Sequence, residues 1–208
     1  MRIVLLGPPA AGKGTQAKRI TGAYNITHLS TGDMLRAQAS AGTEIGKRIR
    51  ETMSSGKLVS DPLVLAAVIE QVTRSDARGG FVLDGFPRTI SQAVTFDDFL
   101  DAEGIELDFV IELRVDEQVL LDRIATRTRE AEQTGNAVRA DDTQEALKVR
   151  LVAYREQITP LIDYYRSRNL LNTVNGLQPV DVVTEQIFDV MKHRHEQSTI
   201  AIHNTAEQ

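Results

Sequence analysis

The sequence contains no cysteine and no tryptophan, and aromatic residues make up only 5% of its 208 positions. Without thiols there are neither disulfides nor thiolate metal sites, so a cysteine-type zinc centre is excluded and a reducing, cytosolic setting is expected. Scarce aromatics and a formal net charge of −5 argue against a general nucleic-acid binder, which stacks bases on rings and meets phosphates with positive charge. Long apolar runs are also missing. The opening "IVLL" is too short to span a bilayer or act as an export signal, so no membrane partner is expected. What is present is ordinary for a globular chain, 41% apolar and 25% charged. Its length suits one domain with small inserted subdomains.

Short apolar segments alternate with helical patterns. Strands are expected at 2–6, 26–31, 81–84, 108–115 and 170–174. Helices are expected at 13–24, 31–41, 43–54, 61–74, 89–101, 116–128, 143–168 and 180–193, with Gly22, Gly42, Gly56, Gly104 and Gly176 at or just beyond proposed ends. Buried strands alternating with helices predict an α/β fold, a parallel sheet with helices on both faces. Two regions fit poorly. Residues 31–60 hold two short helices without a strand between them and read as an inserted lobe. The polar "TREAEQTGNAVRADD" at 128–142 has no apolar period and reads as a surface loop or lid. Residues 193–208 read as a frayed tail.

"LLGPPAAGKGTQAKR" carries the first chemistry. Gly7, four residues, then Gly12 and Lys13 match the spacing of a phosphate-binding loop. Small residues let backbone N–H groups approach an anion, the following helix adds its dipole, and the lysine reaches the outer phosphates. Glycines also favour a plain strand-to-helix turn; the strand before and the helix after favour the nucleotide reading. Two features depart from the common form. Gly14 follows the lysine, which displaces the hydroxyl to Thr15, and Ala10 puts a methyl inside the loop. That methyl is expected to be tolerated only if residue 10 needs no positive φ.

Three further segments supply charge for a transferred phosphoryl group. "STGDMLR" puts Thr31 and Asp33 at a helix start with Arg36 a turn beyond. "LDGFPRTISQ" puts Asp84 at a strand's carboxyl end, where open parallel sheets gather ligands, followed by Arg88 and Gln92. Arg123, Arg127, Arg139 and Arg150 flank or occupy the polar loop. Each has a plainer reading as a solvated arginine or a helix cap, and Asp141-Asp142 fits the cap of the helix that follows. Together they suit phosphoryl transfer, which needs charge neutralised on donor and acceptor alike.

With "GKLVSD" and "RADD" in the same order, these segments resemble the adenylate kinase family in its bacterial short-lid form, over roughly residues 1–192. The resemblance implies a P-loop NTPase-type three-layer core with two mobile insertions, a monophosphate-binding lobe at about 30–59 and a short lid at about 126–142. It implies reversible transfer from Mg²⁺-bound ATP to AMP, giving ADP. ATP would lie on Ala10, Ala11, Gly12, Lys13, Gly14 and Thr15, with Arg123 and Arg127 near the donor and Gln178 near its adenine. AMP would be held by Thr31, Arg36, Lys57, Leu58, Val59, the turn Gly85, Phe86, Pro87 and Arg88, and by Gln92, whose amide matches an adenine edge. Arg139 and Arg150 would close in with the lid, and Lys13, Arg88, Arg123, Arg139 and Arg150 would form the catalytic set. Asp84 and Asp33 would hold Mg²⁺ only through water, and no zinc is expected. Small nucleotides are the implied substrates, and a cytoplasmic monomer is expected because no long apolar surface stripe and no cysteine are present. The alternatives are a kinase for UMP, CMP or GMP, of which the UMP and CMP forms are disfavoured by Thr31 where such relatives resemble "AGD", and a nucleotide-binding switch, disfavoured by the lack of an Asn/Thr-Lys-x-Asp run.

Overall fold

The computed structural model describes residues 1–74, 77–134 and 141–192. Five strands form one sheet: β1 (Arg2–Leu6), β2 (Thr27–Ser30), β3 (Phe81–Asp84), β4 (Phe109–Arg114) and β5 (Leu171–Asn175). All neighbouring pairs are parallel, in the spatial order β2-β3-β1-β4-β5. The helices are α1 (Lys13–Tyr24), α2 (Thr31–Ser40), α3 (Glu44–Ser54), α4 (Asp61–Val72), α5 (Ile90–Ala102), α6 (Glu117–Gln133) and α7 (Gln144–Ser167). An eighth, α8, covers 180–192.

The three central strands, β3, β1 and β4, are mostly apolar because both faces are covered, whereas the edge strands β2 and β5 alternate polar residues with a few apolar ones, Leu29 on β2 and Leu171 and Val174 on β5. Their period of two divides the core. Val4, Leu6, Phe81, Leu83 and Val110 join one cluster with Leu35, Val68, Phe96 and Leu161. Ile3, Leu5, Val82, Phe109, Ile111 and Leu113 join another with Ala17 and Ile20 of α1 and Val183, Ile187 and Met191 of α8. A smaller cluster, Leu120, Ile124, Leu147 and Leu151, joins α6 to α7. Three layers result, as expected.

Strand order reverses at β1: the chain moves to β2 and β3 on one side, then to β4 and β5 on the other. The carboxyl ends of all five strands lie along one edge, and the chain leaves β1, β2, β3 and β5 there into residues already singled out: 7–12, 31, 85–88 and 176–178. This is where an open parallel sheet places a ligand crevice.

One expectation is corrected. Residues 128–133 are not loop but the last turns of α6, which runs to Gln133. Arg, Glu, Ala and Gln are good helix formers, and turns so rich in polar residues show no apolar period to betray them. Residues 135–140, Arg139 among them, and the tail 193–208 lie outside the described residues. No described helix is long and apolar enough to cross a membrane.

Candidate active site

A cleft of about 940 Å³ opens along the carboxyl edge. Its floor is the loop between β1 and α1. Gly7 has φ +147°, and a methyl there would come 2.8 Å from the Leu113 carbonyl oxygen, so only glycine lets the loop pass so close to β4. Gly14 faces the Asp84 carboxylate, and a methyl at that position would lie 3.2 Å from Oδ2. A side chain at position 14 would therefore need that carboxylate to give way.

Ala10 corrects the second expectation: it does adopt a positive φ, +63°. Left-handed backbone costs an alanine roughly 1–2 kcal/mol. The methyl finds compensation by packing against the apolar cluster between α6 and α7.

Lys13 Nζ donates to the carbonyl oxygens of Gly7 and Pro8, at 2.8 and 2.9 Å. Burial lowers its pKa to about 8; the charges of Arg88, Arg150 and Arg127 act in the same direction, and Asp84 opposes them. The Asp84 carboxyl, which burial alone would push up, is held below its ordinary value by His28, Lys13 and Arg88. His28 Nε2 stands 3.7 Å from Asp84 Oδ2, a close polar contact too long for a hydrogen bond, and has no hydrogen-bond partner among the described residues. His28 lines the cleft although the motifs did not point to it.

Across the floor, Ser30 caps α2 by accepting from the Asp33 amide. Thr31 is buried, and its hydroxyl donates to the Asp84 carbonyl oxygen at 3.1 Å, joining the ends of β2 and β3. Arg36 pairs with Asp33 at 2.6 Å and reaches within 3.8 Å of Asp141. Arg88 Nε donates to the Gly85 carbonyl oxygen at 2.7 Å. Burial and the neighbouring Arg150 charge lower the Arg88 pKa to about 10, so it stays a cation at neutral pH. Lys57, Leu58, Val59, Gly85 and Gln92 complete this wall. The Phe86 side chain turns into the core, edge-on to Phe96. Pro87 lines a smaller hollow behind Lys13 and Arg88.

On the far wall, Arg123 and Arg127 lie one helical turn apart on α6. Arg123 donates to the carbonyl oxygens of Ala11 (3.1 Å) and Gly176 (2.8 Å), clamping the phosphate loop to the turn before Gln178. Arg127 makes a two-pronged contact with Asp142, and Arg150 donates to Asp141 at 2.8 Å. Asp141 and Asp142 are only 7% and 9% exposed. They are counter-charges to arginines and not the cap of α7, which Thr143 supplies by accepting from the Ala146 amide.

Lys13, Arg36, Arg88, Arg123, Arg127 and Arg150 thus line one cleft with Ala10 to Thr15, Thr31, Asp33, Asp84 and Gln178. Such a constellation can bind two phosphate-bearing groups end to end. Among the described residues no three His, Cys, Asp or Glu side chains gather as a metal cage. One carboxylate at a strand end beside a phosphate loop suits an ion that arrives on a polyphosphate and keeps most of its waters.

The family model that describes adenylate kinase matches residues 5–170. The adenylate kinase of Methylobacterium radiotolerans is 50% identical over 196 residues, 94% of this chain and 98% of that protein. Those of Methylorubrum populi and Nitrobacter hamburgensis are 48% and 47% identical, over 96% and 92% of this chain and 100% and 92% of theirs. With a phosphate loop and converging guanidinium groups already in one crevice, the chain belongs to the adenylate kinase family, phosphotransferases acting on nucleoside monophosphates.

Proposed function

We propose that the cleft passes a phosphoryl group reversibly between Mg²⁺-bound ATP on the Gly7–Lys13 loop and AMP on the Thr31, Arg36, Arg88 and Gln92 wall. The observation that carries this reading is the convergence of Lys13, Arg88 and Arg150 on one crevice beside Asp84. The acceptor phosphate already bears a nucleophilic oxygen, so no side chain must take a proton from it. Positioning and charge neutralisation supply the rate. Lys13 and Arg123 neutralise the donor side, and Arg36 and Arg88 hold the acceptor. Arg127 and Arg150, with Arg139, meet the charge spread over the group in flight. Asp84, with Asp33 nearby, would hold the magnesium through water; the ion screens phosphate charge when bound.

Asp141 and Asp142 stand where phosphate oxygens would compete for Arg36, Arg150 and Arg127, so nucleotide binding re-partners these arginines. Segments 30–59 and 126–142 act as a lobe and a lid that close over both nucleotides and exclude water, which would otherwise accept the phosphoryl group. The proposal extends to a cytoplasmic monomer using diffusible nucleotides, with neither nucleic acid nor membrane as partner.

The test mixes the protein with Mg·ATP and AMP and follows ADP, omitting AMP as control and substituting UMP, CMP and GMP in turn. ADP formation dependent on AMP is expected. Lys13→Met and Arg88→Ala should each lower turnover at least about 100-fold. Wild-type rates from Arg88→Ala at saturating nucleotide would overturn its role.

A further inference from the structure

Gln92, at the start of α5, is only 2% exposed, yet it reaches the cleft. Both ends of its carboxamide are already engaged. Oε1 accepts from the backbone N–H of Arg88 at 2.7 Å, and Nε2 donates to Oδ1 of Asp61 at 2.7 Å. The other Asp61 oxygen accepts from the Thr89 hydroxyl at 3.1 Å, and Thr89 Oγ1 in turn accepts from the Gln92 amide. Asp61 opens α4 and Thr89 caps α5, so the ring ties two helix starts together.

The chemistry of these partners removes any ambiguity about the amide. A backbone N–H can only donate and a carboxylate can only accept. A carboxamide rotated by half a turn would set N–H against N–H and carbonyl against carboxylate. One orientation is therefore imposed, and it leaves one free N–H and one free carbonyl lone pair.

We infer that Asp61 is a positioning residue which locks the Gln92 carboxamide in the orientation that reads a 6-aminopurine monophosphate and rejects a 6-oxopurine one. This rests on the reading above in which Gln92 faces the acceptor base. A 6-aminopurine presents an amine donor beside the N1 acceptor, and the free lone pair and N–H of Gln92 complement that pair. A 6-oxopurine presents the reverse, an oxygen acceptor beside an N1–H donor, and fits only the rotated amide. In a buried site, the mismatch leaves polar groups unpaired, which is how one amide can discriminate strongly. Asp61 also has a plain structural use, holding α4 against α5. Loss of that use alone would not alter the choice between two purines of the same shape.

The experiment compares AMP with inosine monophosphate as acceptor at saturating Mg·ATP, in wild type, Asp61→Asn and Asp61→Ser. Thermal midpoints are measured beside the kinetics. Asparagine keeps the shape but can turn either an acceptor or a donor to Gln92, so it removes the Asp61 half of the obligation and leaves the Arg88 N–H alone to hold the orientation. The expected result is a KM for AMP raised about tenfold with kcat within about threefold, and an AMP-to-inosine ratio in kcat/KM reduced at least tenfold. Folded variants that keep the ratio within about twofold of wild type overturn the role of Asp61. So does a loss that falls equally on both acceptors. Should neither variant fold, the wild-type Gln92 side-chain amide decides by nuclear magnetic resonance. One of its two protons is expected downfield and slow to exchange, whereas two protons exchanging at free-amide rates overturn the lock. Failure of the underlying reading looks different: wild type makes no ADP from ATP and AMP, or Gln92→Ala leaves the KM for AMP unchanged.

Discussion

At Lys13, two loop carbonyls hold an ammonium whose pKa burial and three nearby guanidinium charges push down to about 8. The pH consequence follows from its sign. Below about 8 the free enzyme carries the charge a polyphosphate needs, and above it the charge is lost. A bound polyphosphate favours the ammonium and raises its pKa. So kcat/KM for ATP should fall as pH rises through about 8, while kcat, which reports the bound complex, should hold to higher pH. A kcat/KM that stays flat well beyond that point would show that Lys13 is not so depressed. A second contrast lies away from the cleft, between two adjacent tyrosines. Tyr164 donates to Asp97 at 2.9 Å, whereas the buried Tyr165 hydroxyl has no partner among the described residues. Phenylalanine at 164 should cost about 1–2 kcal/mol, because it takes one bond from a buried carboxylate. At 165 it should change stability by less than about 0.5 kcal/mol, since no protein hydrogen bond is lost. Urea unfolding of the two variants separates these outcomes.

For whole elements, the phosphate loop offers the sharper prediction, at Ala10. Replacing it with glycine relieves roughly 1–2 kcal/mol of left-handed strain. Against this stand about 0.4–1 kcal/mol of added unfolded-state freedom and about 0.8 kcal/mol for the lost methyl contact. The terms nearly cancel, so Ala10→Gly should leave stability within about 1 kcal/mol of wild type and the thermal midpoint within about 4 °C. A loss above about 2 kcal/mol would mean that the methyl anchors the loop to α6 and α7 far more firmly than its area suggests. Much at this scale was legible in the sequence. All five strands were, the three central ones because apolar runs buried on both faces of a parallel sheet announce themselves, and the half-polar edge strands β2 and β5 from their place between helical patterns. The phosphate loop, the 30–36 turn and the 84–92 turn were legible because each is local, its spacing fixed by one strand end and one helix start. What could not be read was pairing across distance: Arg36 with Asp141, Arg127 with Asp142, His28 beside Asp84, Gln92 on Asp61. Nor does sequence spacing report a φ angle, which is why Ala10 went against expectation. The last turns of α6 escaped because turns so rich in polar residues carry no apolar stripe.

Over the whole molecule, charge is distributed against its own sum. The chain carries −5, yet along the cleft basic side chains outnumber acidic ones nine to five. A concave surface with low-dielectric walls concentrates that surplus and draws anions inward. The arginines also repel one another, as the depression of Lys13 and Arg88 by Arg150 attests. The nucleotide-free fold therefore holds a crowd of like charges that Asp84, Asp141 and Asp142 offset only in part, a destabilisation that an anion in the cleft removes. Sulfate or inorganic phosphate should accordingly raise the thermal midpoint above that in chloride at equal ionic strength, and the rise should saturate with concentration as site binding does. Sulfate also stabilises proteins by exclusion from their surface, an effect that grows without saturating and ignores the cleft. Arg88→Ala separates the two. It removes one of the crowded cations, so the variant should lose most of the saturable rise and keep the linear part. Equal saturable rises in wild type and Arg88→Ala would mean that the anion binds elsewhere and that the surplus of charge in the cleft does not govern stability.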